Sequence, residues 1–383
     1  MKHYPYGGST AARTQNCAAW RQLSEGIPNR ESAAAKDGTC VHYLLEQSNL
    51  DDDFQIQEQL GLECPETGLT ITQDLIELAV DMWHADEALG ERYSIIEWEA
   101  ESTGEYSEAV GSTLDKIFTG HSPEGKPVTV VIDYKSGRGK QVDAVGNEQL
   151  LHNCWCLMAN SEAADLFDDA AMIVGVIIQP GRDGTIHTKE WAFTKEMVAE
   201  FALKHLIAIE KTKEPGVSAC AGAWCAFCPA EATCPAKTGD AHRALLRSPD
   251  SLEMLSENMA LVARLKPWLS AVEKAVYESL ELGSEIDGWK LVNKLARESW
   301  IDEAAALKAL RLKAGGKKFI AVDKLMTPAQ VRKVLKGRDV EIDFVKTGLT
   351  QKKSSGTTIA PESDKREAVL SAAAFGAALA SVS

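Results

Sequence analysis

Residues 129–137 read TVVIDYKSG, a β-branched run that ends in Asp133, Tyr134 and Lys135 and is stopped by Gly137. Such a run predicts a buried strand. Asp133 and Lys135 are two residues apart, so their side chains share one face of that strand. A carboxylate beside an ammonium at a strand end can hold a divalent cation and steady a developing negative charge. Eighteen residues before Asp133, the segment Gly111-Ser-Thr-Leu-Asp115 places a second acid in another strand-like stretch.

A chain of 383 residues, 45% hydrophobic, has the length for two or more domains and the material for a substantial core. It contains no apolar run long enough to span a bilayer. Its first residues, MKHYPYGGSTAART, lack the apolar centre of a signal peptide. A cytoplasmic location, away from the membrane, is the expectation. Nine cysteines, an odd number, argue against a disulfide framework there and favour metal or cluster ligation for those that group. The net charge of −15 is unevenly spread: residues 287–353 hold 16 Lys and Arg against 8 Asp and Glu. That +8 segment can attract phosphate while the remainder stays acidic, or it can be no more than a solvated surface.

The periodicity predicts a helix over 34–48, an acidic loop over 51–69 and an amphipathic helix over 70–90 with Thr72 as its cap. Strands follow at 93–101, 109–118 and 128–135, then a helix at 143–160. Two further strands, 171–179 and 185–193, flank the turn Pro180-Gly-Arg-Asp-Gly184, and a helix follows at 195–213. This order predicts an α/β fold with a mixed central sheet flanked by helices. A cysteine-rich knot spans 217–236. Beyond it come a helix at 250–282, stopped by Gly283, and a smaller basic α+β region that alternates short strands and helices over 287–345. A Ser/Thr/Lys-rich and then Ala-rich flexible tail is expected from about 352. The domain expectation is a core over 1–240, an accessory region over 241–350 and a tail over 351–383.

The chemistry concentrates in His42, Asp115, Asp133 and Lys135. Hydrolysis of a phosphodiester needs neutralised phosphate oxygens, an activated water and a stabilised leaving oxygen. Mg²⁺ or Mn²⁺ held by carboxylates supplies all three, and a lysine can stabilise the pentacoordinate state. An imidazole donor from His42 suits Mn²⁺ somewhat better than Mg²⁺. Each residue alone also has a structural reading, as a packed histidine or a turn-capping acid. Glu97 and Glu99 are same-face acids on the preceding strand, either solvated or an outer shell to the site.

Gly38-Thr39-Cys40-Val41-His42, Gly111-Ser-Thr-Leu-Asp115, Ile132-Asp133-Tyr134-Lys135 and Gln149 follow one another in an order that resembles the RecB-type nucleases of the PD-(D/E)XK superfamily. The resemblance implies a restriction-endonuclease-like core. It implies that His42, Asp115, Asp133 and the carbonyl of Tyr134 bind Mg²⁺ or Mn²⁺, that Lys135 is the catalytic lysine and that Gln149 organises the site. It also implies DNA as substrate, exonuclease action at DNA ends, and a place in phage-type recombination, replication or repair beside a protein of that machinery. Asn153 departs from the pattern, since many such nucleases carry tyrosine there.

Cys225-Ala-Phe-Cys228 followed by Cys234 gives C-x2-C-x5-C, with Cys17 far upstream. This resembles the iron–sulfur branch of the same nucleases, which implies a [4Fe–4S] cluster on Cys17, Cys225, Cys228 and Cys234 that clamps the two ends of the core. A local Zn²⁺ site on Cys220, Cys225, Cys228 and Cys234 is the alternative. Cys40, Cys64, Cys154 and Cys156 read as small buried apolar residues. Trp289 and Trp300 can stack on bases or pack in a core. The rival reading of the whole is a non-catalytic DNA-binding or scaffolding protein on the same fold. An iron–sulfur electron carrier is a third, which leaves the Asp-Tyr-Lys strand unexplained.

Overall fold

The computed structural model describes residues 4–27, 33–51, 53–245, 252–317, 320–321 and 325–369. The chain divides into two compact units, Met1–Leu265 and Lys266–Ser383. The first holds α1 (Ala11–Asn16), α2 (Trp20–Ser24), α3 (Ala33–Leu50), α4 (Gln73–Arg92), β1 (Glu97–Ser107), β2 (Val110–His121) and β3 (Pro127–Tyr134). It continues with α5 (Glu148–Ala159), β4 (Met172–Pro180), β5 (Ile186–Phe193), α6 (Lys195–Lys213), α7 (Pro235–Leu245) and the first half of α8 (Leu252–Glu281). Among the described residues no helix is long and apolar enough to cross a membrane.

The five strands form one sheet in sequence order, with β3 and β4 parallel and every other neighbour antiparallel. The parallel pair requires a crossover, and α5 supplies it. β3 is the strand that the β-branched run predicts. Residues Val128–Tyr134 are all buried, because apolar side chains leave it on both faces. Val128, Val130, Ile132 and Tyr134 enter one core with Val41, Leu44 and Leu45 of α3 and Ile76, Ala79 and Met82 of α4. Val131 enters another with Leu150, Leu151 and Cys154 of α5 and Val198, Phe201 and Ile209 of α6. The sheet is thus sandwiched between α3/α4 and α5/α6, as the mixed α/β reading anticipates.

The expected elements are present with shifted ends. The fifth helix starts at Glu148 rather than 143, because Asn147 caps it by accepting from the backbone N–H groups of Gln149 and Leu150. α4 runs on to Arg92 and the chain turns at Ser94 (φ 49°), so β1 begins only at Glu97. The boundary of the first unit lies beyond residue 240. Lys237 Nζ donates to the carbonyl of Arg264 (3.3 Å), and Arg264 Nε lies 3.6 Å from Asp240, so the start of α8 is tied to α7.

The second unit contains β6 (Trp289–Asn293), β7 (Arg297–Trp300), α9 (Glu303–Leu310), α10 (Pro328–Lys336), β8 (Thr350–Lys353) and β9 (Thr357–Pro361). β6 pairs antiparallel with β9, and β7 with β8. Leu310, Val331, Leu335 and Phe344 form its core. The stretch from 352, read as the start of a tail, therefore supplies strands; residues 370–383 of that expected tail lie outside the described ones. Trp300 packs on Phe344 (5.2 Å between centroids) and donates Nε1–H to the carbonyl of Met326, so it is a core residue. Trp289 is 43% exposed.

Two imidazoles are enclosed between α5 and α6. His152 and His205 have no solvent exposure, and their rings are 5.1 Å apart. Neither nitrogen of His205 nor Nδ1 of His152 has a hydrogen-bond partner. Burial pushes His152 down to about 4, and burial together with His152 pushes His205 down to about 3. Both are neutral in the fold while the unfolded chain takes up protons below about pH 6.5. Stability is therefore unaffected above that value and falls as pH drops towards 4 and then 3, by several kcal/mol in all. Urea unfolding from pH 7 to pH 4 should show this slope, and His205→Leu should remove about half of it. An unchanged slope in the variant would refute the assignment.

Candidate active site

The register of β2 on β3 pairs Lys116 with Ile132. One further position sets Asp115 opposite Asp133, on the same face of the sheet. Asp133 is 4% exposed and points to the α5 side, where Gln149 in the first turn of α5 donates Nε2–H to its Oδ1 at 2.6 Å. Lys135 Nζ lies 2.7 Å from Asp133 Oδ2 and donates to Gln149 Oε1 at 3.0 Å. The three side chains form a closed triangle. Asp115 Oδ2 accepts the backbone N–H of Tyr134 (2.7 Å), and its Oδ1 lies 3.0 Å from His42 Nδ1. His42 arrives on α3, which packs on the other face of the sheet, so the site forms at the C-terminal end of β3 where both layers reach. All six residues singled out in the sequence, His42, Asp115, Asp133, Tyr134, Lys135 and Gln149, are in this one cluster.

The two motif glycines have steric reasons. A Cβ on Gly38 would sit 2.6 Å from Ser136 Oγ, so α3 lies close against the turn after β3 and any larger residue would make that serine turn away. A Cβ on Gly111 would lie 2.5 Å from the Tyr4 ring. Asn153 is fully buried and accepts from Ser112 Oγ. A Cβ on Gly8 would meet its Oδ1 at 2.3 Å. Gly8 of the N-terminal segment thus lies directly against the Asn153 side chain.

The electrostatics of the acids diverge. Burial raises the carboxyl of Asp133, and the Asp115 carboxylate adds to this against the pull of Lys135, so its pKa is above the ordinary value. Burial also works against Asp115, but His42, the Tyr134 N–H and Lys135 hold it below the ordinary value. Burial opposes the imidazolium of His42, and Asp115 overrides it, so His42 is raised. Asp133 Oδ2 is buried and paired with the Lys135 ammonium at 2.7 Å. Two carboxylates and an imidazole in one cluster are a donor set of the kind hard cations take. Among the described residues no three His, Cys, Asp or Glu side chains already stand as a metal-binding group, so cation binding would require Asp115 Oδ1 and His42 to loosen their mutual contact.

Sequence reasoning missed what stands behind the site. Lys116 faces opposite to its neighbour Asp115 and is buried, with Nζ 2.6 Å from Asp86 Oδ2 on α4 and 2.9 Å from Asn49 Oδ1 on α3. Tyr134 OH donates to the same Asp86 oxygen at 3.0 Å. This network fixes Tyr134, whose amide holds Asp115. The available signal was a lysine at a strand position adjacent to an acid, where both faces are covered. Also unforeseen is Glu101 of β1, which falls opposite Asp115 but has left-handed backbone (φ 47°) and interrupts the ladder. Glu46 of α3, one turn after His42, is pushed up to about 8 by burial and by a hydrogen bond with Glu101. Glu97 and Glu99 are not part of the cluster. They line a surface cleft with Thr119, His121 and Asp165, and Glu99 accepts from Ser102.

The cysteines fall into two groups. Cys40, Cys64, Cys154 and Cys156 are buried in the two sheet cores. Cys17, Cys220, Cys225, Cys228 and Cys234 line one small cavity with Arg13, Trp20, Trp224, Glu231 and Lys237. The backbone N–H of Cys220 donates to Cys17 Sγ (3.5 Å) and that of Gly222 to Cys225 Sγ (3.3 Å). Burial raises the thiols of Cys225 and Cys228, while Lys237 pulls the first down and Arg13 the second. Two buried cations and backbone donors around the sulfurs fit a set that would be anionic as thiolates, whether on iron–sulfur or on zinc.

The family model for DUF2800, a protein of unknown function, matches residues 3–367. The chain belongs to the DUF2800 family. The solved structure of SSO0001 is similar to this DUF2800 chain at 13% identity, covering 57% of this chain and 94% of that one, with a TM-score of 0.22.

The Lys116–Asp86 pair gives a direct test of the support behind Tyr134. Asp86→Ala leaves a buried ammonium without its counter-charge and should cost about 3–5 kcal/mol in urea unfolding. Replacing both partners, as Asp86→Leu with Lys116→Met, should cost far less. Equal losses for the single and double variants would contradict the pairing.

Proposed function

We propose that this DUF2800 protein is a metal-dependent deoxyribonuclease of the RecB-like PD-(D/E)XK kind, acting on DNA ends in recombination, replication or repair. The observation that carries the reading is the convergence of Asp115, Asp133, Lys135 and Gln149 at the C-terminal end of β3, with His42 reaching in from the other layer. Asp115, Asp133, His42 and the Tyr134 carbonyl would hold Mg²⁺ or Mn²⁺, which supplies Lewis acidity at the scissile phosphate. Lys135 would orient the attacking water and offset charge that builds on the phosphoryl oxygens. Gln149 holds both Lys135 and Asp133, so it sets their separation. Asp115 is kept ionised by its own contacts, whereas Asp133 is a strained charge that a bound cation would relieve.

The same reading takes Cys17, Cys225, Cys228 and Cys234 as ligands of a [4Fe–4S] cluster that joins the N-terminal segment to the loop after α6. The zinc alternative uses Cys220 in place of Cys17. Both draw on one cavity, so metal analysis decides between them. Anaerobically purified protein should be brown, with broad absorbance at about 400 nm, and Cys17→Ser should lose iron. Stoichiometric zinc without iron, retained in Cys17→Ser, would overturn the cluster.

End-labelled linear DNA and a closed circle, each with Mg²⁺ or Mn²⁺, test the activity. The linear substrate should be degraded and the circle spared. Asp133→Asn and Lys135→Ala should each lower the rate by about 10²-fold or more. Since the fold disfavours a charged Asp133, Asp133→Asn should keep or raise the Tm while it loses activity. Wild-type turnover in either variant would defeat the mechanism. DNA binding with no cleavage under either metal would favour the non-catalytic scaffold instead.

A further inference from the structure

The ribbon of β7 and β8 has two unlike faces. One carries Glu298, Trp300, Thr350 and Lys352 and packs on α10 and Phe344. There, Glu298 accepts from Arg332 Nη2 at 2.8 and 2.9 Å and from Thr350 Oγ1 at 2.6 Å. The other carries Arg297, Ser299, Gln351 and Lys353, all exposed. The register sets Arg297 opposite Lys353 and Ser299 opposite Gln351. Two cations directly across from each other weaken a strand pair, and the four residues of this face include no carboxylate to offset them. Three acids close to it in the fold are engaged elsewhere. Glu298 is on the opposite face, Asp302 caps α9 through the Ala305 N–H, and Asp343 accepts the N–H groups of Val345 and Lys346. Lys294, also exposed, adds a third cation at the Arg297–Lys353 end, where its N–H bonds the Gly356 carbonyl.

We propose that this outer face binds the phosphodiester backbone of a nucleic acid. It presents a guanidinium, two ammonium groups, a hydroxyl and an amide, the mixture that contacts phosphate and sugar without reading bases. Its two rows are about 7 Å apart along the strands, so it suits anions repeated along a chain. The repulsion between Arg297 and Lys353 is relieved when a polyanion lies across them, which gives a face costly to the free protein a use in the complex. Binding of this kind is salt-dependent and blind to sequence. It does not depend on the core being a nuclease.

The test uses the full chain in EDTA, so that cleavage plays no part, with labelled duplex and single-stranded DNA of mixed sequence followed by fluorescence anisotropy over a salt series. Lys353→Glu should weaken binding about tenfold at low salt and flatten the dependence of log K on log salt by about 1 to 2. Because the introduced carboxylate would pair with Arg297, the Tm of this variant should be unchanged or higher. Arg297→Gln with Lys353→Gln should weaken binding without charge reversal, and guards against a folding defect in the first variant. Three outcomes would each overturn the proposal: no DNA binding by the wild type, affinity and salt slope unchanged in both variants, or binding to phosphatidylserine vesicles in place of DNA.

Discussion

The register of β2 on β3 is the constraint on which the rest of the core depends. Asp115 and Lys116 are consecutive, so they leave β2 on opposite faces, and both faces are covered by helices. Each charge has a partner only in the observed pairing: Asp115 at the Tyr134 amide and His42, Lys116 at Asp86 and Asn49. A slip of one residue would drive the carboxylate into the apolar packing under α3 and α4 and strand the ammonium above α5. Two buried charges therefore act as register pins, and the pinned register puts Asp115 beside Asp133.

Most of the core was legible because its strands and helices differ in period. The β-branched run of β3 and the amphipathic stripe of α4 leave little room for another assignment. Asp115, Asp133 and Lys135 were legible because their spacing put acids and a lysine at strand ends, and His42 as an imidazole on the preceding helix; Tyr134 and Gln149 entered only through the resemblance to RecB-type nucleases. Three features were not. The Asp86–Lys116 pair joins residues 30 apart through tertiary contact, which no local pattern encodes. The left-handed Glu101 has a side chain that gives no sign of its backbone. The strands β8 and β9 sit in a polar, Ser/Thr/Lys-rich stretch that reads as a tail, because two-stranded ribbons with one solvated face carry almost no hydrophobic signal.

The site has the character of a functional liability rather than a stabilising one. A buried acid held by a half-buried lysine, with a second acid across the rung, would not be chosen for stability. The cysteine cavity has the same character, since it collects five thiols with Arg13 and Lys237 at the edge of the core that Cys17 and Trp20 enter. In the proposed account both are arrangements that bound ions complete. The cysteine cavity also links Cys17 with the 220–234 loop, two segments about 200 residues apart in the chain, so what it binds would tie the first helices to the end of the core.

The central claim is that one cation draws on both acids of the rung. Mn²⁺ binding followed by electron paramagnetic resonance, with the cysteines left intact, measures this without any substrate. The account predicts about one Mn²⁺ per chain at the site, lost in Asp115→Asn and in Asp133→Asn alike while both variants stay folded. Mn²⁺ binding that survives either substitution, or that is absent from the wild type, would contradict it.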